Sequence, residues 1–372
     1  MINLNAVKSS GGGKPNYNKV DIKYKTYLDY LRVLSAFCVV VIHALGDKYS
    51  YCVEFKSAAW YYIAFFGSLV RFAVPIFFMI SGALFLNPNK NISTKNLWLK
   101  NILRLIVSFF IWDVFYAILL TKDSFALSID YLKLIFYNTV QFRYHLWFIP
   151  SLVFLYMLTP VFRCITTENN KKVVKYLLIL NFIAICITSG LEFASLFNVP
   201  GSFVGLIKIF APIGLLTNYS FYFFAGFYLD NYTFSSFKTK FIIWIGLIAL
   251  VLSPIINIVM SLFVKTGLMI NGDYLHILTC LAALALFLLF KGSKLCNKEN
   301  KFIKSCAGCS YGIYLIHVFI IVTIQEIIPQ TIALSNWMYL YFPCVTVVTF
   351  FISYLITYLI KLIFRKYSKW FV

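Results

Sequence analysis

The stretch "YLDYLRVLSAFCVVVIHAL", residues 27–45, has the length and the apolar composition of a helix that crosses a lipid bilayer. It nevertheless contains Arg32 and His43. A charged side chain at the centre of a membrane helix costs about 2.5–3.5 kcal/mol on insertion scales. Polar residues inside spans usually face the bundle interior or a water-filled cavity, so the stretch predicts an internal polar feature.

The composition extends this prediction to the whole chain. The protein has 372 residues, of which 61% are hydrophobic and only 12% charged. Soluble domains are about 45–50% apolar and about 25% charged. The apolar residues recur in blocks of about 20, and strand-like alternation is absent. We therefore expect an all-α, polytopic transmembrane helical bundle that lies in the cell membrane with multiple passes.

Ten spans are predicted, together with a flexible cytoplasmic tail (1–26), a membrane domain (27–365) and a short cytoplasmic C-terminal end (366–372). The spans cover residues 27–46, 58–86, 97–121, 145–163, 173–190, 214–230, 240–262, 273–290, 303–325 and 338–361. With the N-terminus inside, 24 Lys and Arg residues fall on the inner side and 7 on the outer side. This bias favours both termini in the cytoplasm. The net charge of +20 lies in patches between the spans, which suits an anionic leaflet and not nucleic acid.

Arg32 and His43 lie on one face of the first helix. Eleven residues turn an α-helix by about 1100°, so the two side chains share a stripe about 16 Å long. Asp29, three residues before Arg32, is placed to pair with it. In the alternative interpretation Arg32 reaches the inner interface and His43 bonds a neighbouring helix.

Further polar residues occur within the other spans. Arg71 lies near the middle of the second span, where Pro75 can bend the helix and Ser81-Gly82 permits close helix approach. Asp113 is deep in the third span and could orient a histidine or neutralise an arginine.

Two more apolar segments also contain polar residues. "RYHLWFIPSL" puts His145 and Trp147 at an outer boundary, where an aromatic belt is the alternative explanation for the tryptophan. In the ninth span, Ser310, Tyr314 and His317 share one helical face. His276 is interpreted as structural. The lone C-A-G-C of Cys306 and Cys309 lacks further zinc ligands and favours helix packing, so no metal site is expected.

Taken together, these motifs make the sequence resemble the acyltransferase-3 membrane proteins. The resemblance rests on Arg32 and His43 with ten residues between them, on "RFAVPIFFMISG" at 71–82, on "HLWFIPSLVFLYMLTP" at 145–160 and on "SYGIYLIH" at 310–317. Each pattern is weak alone, but the four in this order are specific. They cover about residues 27–365, and the match is to members that consist of a single membrane domain.

The resemblance implies transfer of an acyl group, commonly acetyl, from cytoplasmic acyl-CoA to a hydroxyl of a cell-surface glycan or glycolipid. Acyl-CoA would be a co-substrate, with no bound cofactor. Catalytic roles are expected for His43, Arg71 and His317, with His43 as general base. Substrate contacts are expected from the remaining candidates, namely Arg32, Asp29, Ser81, Asp113, His145, Trp147, Ser310 and Tyr314.

Other functions fit parts of the pattern. Buried charges and a Pro-broken helix also occur in transporters and flippases, and a membrane sensor or scaffold is a third class. The resemblance favours the acyltransferase, and the Ile-, Lys- and Asn-rich composition suggests a bacterial plasma membrane. The acceptor, the choice of acetyl or succinyl, direct or covalent transfer, and the oligomeric state stay open at this point.

Overall fold

A computed structural model describes residues 25–50, 53–88, 90, 92–121, 128–141, 143–195, 219–265, 274–328 and 330–372. These residues form helices and connecting turns, and they contain no β-strand. The all-α helical bundle is therefore confirmed. Nearly all of the predicted N-terminal tail, residues 122–127 of the loop after the third span, and most of the loop after the fifth span fall outside the described residues.

Twelve longer helices make up the described part of the chain. They are α1 Thr26–Ser50, α2 Ala58–Leu69, α3 Ala73–Phe85, α4 Leu103–Leu120, α5 Ile129–Val140, α6 Phe148–Ile165, α7 Lys171–Ser195, α8 Ser220–Asn231, α9 Ser236–Val264, α10 Ile277–Gly292, α11 Lys301–Ile327 and α12 Met338–Phe364. A helical turn (Thr94–Asn96) and a π-helical segment (Leu97–Ile102) precede α4. The 3-10 helices Tyr144–Trp147 and Arg365–Trp370 precede α6 and follow α12.

Eight segments in the described part of the chain are long and apolar enough to cross a membrane. They correspond to eight of the ten predicted spans. The other two appear as shorter helices, α8 with 12 residues and α10 with 16. The total of ten spans and the cytoplasmic position of both termini therefore stay predictions.

The second predicted span, 58–86, is two helices and not one bent helix. Helix α2 ends at Leu69 and α3 begins at Ala73, so the break precedes Pro75. Pro75 is the third residue of α3, where a backbone N–H has no intrahelical acceptor and its loss costs little. The break places Arg71 in a non-helical link within the bundle.

The close helix approach expected at Ser81-Gly82 is present. Helix α3 crosses α8 so tightly that a Cβ added at Gly82 would lie 1.7 Å from the carbonyl oxygen of Phe223. A Cβ added at Gly226 would lie 1.9 Å from the carbonyl oxygen of Met79. Glycine on both helices allows the two backbones to touch, as in many membrane helix pairs.

Helix α1 is the centre of the bundle and packs against α2, α3, α10, α11 and α12. Its start is fixed by a polar contact at the end predicted to be cytoplasmic. The buried carboxylate of Asp230, at the end of α8, pairs with Lys25 and accepts a hydrogen bond from the Tyr27 hydroxyl. Lys291, at the end of α10, donates to the carbonyl oxygens of Leu229 and Asp230. These contacts fix the depth of α1, and with it the depth of Arg32 and His43.

Candidate functional site

A cavity of about 400 Å³ lies between α1, α3, α4, α6 and α11. This volume is within the usual range for small-molecule sites, about 300–1,000 Å³. Its walls are mostly apolar and aromatic, with polar residues at both ends. The lining residues that carry a polar group in their side chain are Arg32, His43, Ser81, Asn101, Arg104, His145, Trp147, Tyr156, Tyr274, Ser310, Tyr311 and Tyr314. Arg32 and His43 therefore line one cavity, as their shared stripe on α1 predicts.

Two arginines form the end of the cavity nearest the start of α1. Arg32 is 27% exposed and pairs with the buried carboxylate of Asp29 at 3.1 Å. The Arg104 guanidinium lies 5.5 Å from the centre of the Tyr311 ring and donates to the carbonyl oxygen of Val372 at 3.1 Å. This end of the cavity is therefore positively charged and suits an anionic group.

Most of the charged side chains near Lys90, which lies outside the cavity, are positive. Lys90, in the link between α3 and α4, has a lowered pKa. Its burial is the largest cause, and the positive charges of Lys25, Arg32 and Arg163 lower the pKa further, against the opposing effect of Asp230. Three positively charged side chains close enough to lower the pKa of Lys90 indicate a positive potential around it.

Three histidines meet at the other end. The ring centres of His43 and His317 are 4.9 Å apart. His145 lies 6.2 Å from His43 and 6.1 Å from His317. In the described part of the chain these rings do not form a group that could hold a metal ion. Three helical elements that are distant in sequence thus bring three proton-accepting side chains together.

The 3-10 helix Tyr144–Trp147 positions His145. Its side chain is almost fully buried, at 2% exposure. The Asp113 carboxylate accepts from the Arg143 backbone amide at 3.1 Å, and the Tyr314 hydroxyl donates to the His145 carbonyl at 2.6 Å. Among the described residues neither ring nitrogen of His145 has a hydrogen-bond partner, although the ring lines the cavity. Such a buried, unpartnered imidazole is suited to contact a substrate.

His317 is fully buried behind His43 and does not line the cavity. Its Nδ1 lies 3.2 Å from the carbonyl oxygen of Ile313, one turn earlier in α11. A carbonyl oxygen only accepts, so Nδ1 carries the proton and the neutral ring keeps its lone pair on Nε2. The helix therefore fixes the tautomer of His317.

Arg71 reaches the cavity wall through Tyr274. Its guanidinium donates to the Tyr274 hydroxyl at 3.4 Å and lies 5.5 Å from the ring centre. The Tyr274 ring stacks on Trp147 at 5.4 Å. Because the Tyr274 oxygen accepts from an arginine, its own proton is directed elsewhere, and Tyr274 lines the cavity.

The candidate residues from the sequence fall into two groups. Seven of them line the cavity, namely Arg32, His43, Ser81, His145, Trp147, Ser310 and Tyr314. The other four, Asp29, Arg71, Asp113 and His317, each contact a residue that lines it or the adjoining backbone. His276, interpreted as structural, accepts from the Leu278 amide through Nδ1 and caps α10.

Sequence reasoning missed Asn101, Arg104, Tyr156 and Tyr274 as cavity residues, and Tyr116 as a neighbour of two histidines. Asn101 and Arg104 lie within and just after the π-helical segment Leu97–Ile102. Short π-helical segments often occur at functional sites, but they have no sequence pattern that would have revealed this one.

A family model described as an acyltransferase domain matches residues 25–358, nearly the whole chain. The match spans every helix that lines the cavity. No curated protein and no solved structure matches the chain.

Proposed function

The chain belongs to the acyltransferase-3 family, and we propose that it moves an acyl group, most simply acetyl, from cytoplasmic acyl-CoA to a hydroxyl of a cell-surface glycan or glycolipid. It is a membrane acyltransferase by family; the donor, the acyl group and the acceptor are the proposal. The observation that carries it is one cavity with arginines at one end and histidines at the other.

The donor would enter from the arginine end. CoA carries several phosphates, and Arg32, Arg104 and the positive region around Lys90 offer charge-assisted contacts to them. The pantetheine arm is an extended chain of methylenes and amides. The apolar and aromatic cavity walls suit such a chain and would direct the thioester toward the histidines.

The chemistry would take place beside His43. A hydroxyl is a weak nucleophile near neutral pH, and a neutral imidazole can remove its proton as it attacks the thioester carbon. The C–S bond then breaks, the acyl group stays on the acceptor oxygen, and the proton passes from His43 to the leaving sulfur. Tyr274, which accepts a hydrogen bond from Arg71, is placed to donate its own proton toward negative charge on the carbonyl oxygen.

Trp147 and Tyr274 would contact the acceptor. Their rings form an apolar wall beside His145, and His145 offers two ring nitrogens to hydroxyl groups. Flat aromatic faces next to polar groups suit a sugar, whose ring presents both C–H and O–H groups.

Purified protein in nanodiscs, supplied with acetyl-CoA and a thiol reagent, tests the proposal. We expect release of CoA thiol that rises when membrane glycolipid extract is added, with labelled acetyl recovered in the extract. His43→Gln and His276→Gln are a matched pair of variants, since only the first removes a residue that lines the cavity. CoA release should fall in His43→Gln and stay near wild type in His276→Gln. No CoA release by the wild-type protein with acetyl-CoA, succinyl-CoA or longer acyl-CoA would refute the donor assignment.

A further inference from the structure

Tyr116, on α4, contacts α11 on both sides of His317. Its hydroxyl donates to the carbonyl oxygen of Leu315 at 2.7 Å and accepts from the backbone amide of Phe319 at 3.2 Å. In an α-helix, the amide of each residue donates to the carbonyl four residues earlier. Leu315 and Phe319 are such a pair. The hydroxyl thus bridges both ends of one helical hydrogen bond, and His317 is the middle residue of that turn.

The same side chain contacts a second histidine. The Tyr116 and His145 ring centres are 4.7 Å apart, edge to face at 81°. Tyr116 is only 4% exposed and does not line the cavity. Tyr116 therefore contacts His145 through its ring, and through its hydroxyl it contacts the helical turn that carries His317.

We propose that Tyr116 is a positioning residue for acyl transfer, which sets the distance of His317 and His145 from His43; this rests on the proposed function. A side chain that inserts into the hydrogen-bond ladder fixes the local geometry of a helix. Without the hydroxyl, the Phe319 amide and the Leu315 carbonyl would have only helix backbone groups as hydrogen-bond partners, and the turn that carries His317 would move. Catalytic groups tolerate only small displacements, and about 1 Å can cost roughly 100-fold in rate.

A second tyrosine provides a matched control. The Tyr354 hydroxyl, on α12, lies 2.8 Å from the Ser305 hydroxyl near the start of α11. Tyr354→Phe therefore removes a hydroxyl contact to the same helix, far from the histidines. If tyrosine hydroxyls only anchor α11, Tyr116→Phe and Tyr354→Phe should behave alike.

The test combines NMR with kinetics on the full chain in nanodiscs. The protein has four histidines, so ¹⁵N-labelled imidazole gives few signals, and His276 serves as an internal reference. In Tyr116→Phe we expect the His317 and His145 signals to move while the His276 signal stays. We also expect kcat for transfer to fall about 10–100-fold with KM for the donor unchanged. Tyr354→Phe should leave the signals of all four histidines, and kcat, near wild type.

Each possible result of this experiment either supports or overturns the positioning role of Tyr116. Unmoved His317 and His145 signals in Tyr116→Phe overturn the positioning role, whatever the rates. Moved signals with kcat within twofold of wild type show that the positions do not matter for transfer, which also overturns it. If the wild-type protein transfers no acyl group, the proposed function fails, and the NMR arm still tests whether Tyr116 sets the geometry. If Tyr116→Phe does not fold, 3-fluorotyrosine at position 116 keeps ring and hydroxyl but strengthens the donor, and it must then move the His317 signal.

Discussion

The rings of His43 and His317 lie 4.9 Å apart, although they belong to the first and the eleventh helix of the bundle. His43 faces the cavity, and His317 is fully buried behind it. The proton on Nδ1 of His317 is directed to the Ile313 carbonyl, so its lone pair lies on the other side of the ring. This arrangement suggests that His43 contacts the substrate and that His317 contacts His43 from behind.

His43→Gln should lose most transfer activity while it still binds acyl-CoA. Glutamine keeps some hydrogen bonding but cannot accept a proton near neutral pH. Loss of a general base costs about 10²–10⁴-fold in rate. Turnover is measured by thiol release and donor binding by calorimetry. A variant that keeps more than about a tenth of wild-type turnover would rule out the general-base role and make His317 the next residue to test.

Removal of the Arg32 charge should weaken donor binding. Because Arg32→Gln alone would remove a cation that pairs with the buried carboxylate of Asp29, the informative variant is Asp29→Asn/Arg32→Gln. A charge-assisted hydrogen bond contributes about 1.5–3 kcal/mol, so the Kd for CoA should rise about 10–100-fold. The control, Asp29→Asn alone, keeps the arginine and should bind CoA at least as well as wild type. Equal CoA affinity in the double variant and wild type would exclude Arg32 from the donor site.

Transfer should become slower in acid. A general base must be neutral to accept a proton, and imidazole is the side chain most often used for this purpose between about pH 5 and 8. With an imidazole as general base, kcat/KM should fall as the pH is lowered, with a limiting slope of about tenfold per pH unit. The residual rate of His43→Gln should not show this fall. A wild-type profile that is flat between about pH 5 and 8 would contradict an imidazole base.

The loop between α10 and α11 should be cytoplasmic. It contains Lys294 and Lys298, Lys301 follows as the first residue of α11, and positive residues favour the inner side. In intact cells, an impermeant thiol reagent should not label Lys294→Cys in a background without the native exposed cysteines. Lys133→Cys, on the exposed surface of α5, serves as the outer control and should be labelled. Labelling of position 294 before permeabilisation would reverse the predicted topology.

Gly82→Ala should destabilise the bundle. The added methyl group would overlap the carbonyl of Phe223, so α3 and α8 would have to separate. Overpacking of this kind costs about 1–3 kcal/mol. The comparison is Gly190→Ala, where an added Cβ has nothing within 4 Å and alanine favours the helix. The melting temperature in detergent should be lower than wild type for Gly82→Ala only. Equal melting temperatures for the two variants would show that α3 and α8 are not tightly packed at Gly82.

Sequence patterns predicted the bundle and much of the cavity lining because both depend on local composition. Arg32 and His43 share a face by helical geometry, and glycine at position 82 indicates a tight crossing. The break at 70–72 and the π-helical segment at 97–102 were not predicted, since they depend on packing between helices. The same holds for Tyr116, because its importance comes from a contact with α11, about 200 positions later in the chain.

The cavity that Arg32 and His43 line also has an electrical consequence in the proposed reaction. In the proposed reaction an acyl group leaves the cytoplasmic side, and the hydroxyl proton returns there on the sulfur of CoA. One acyl group moves outward and one hydrogen inward, so no net charge crosses the bilayer in a turnover. A charge that crossed it would gain or lose about 2.3 kcal/mol per 100 mV. The membrane voltage should therefore neither drive nor oppose transfer, and the thioester alone would supply the free energy.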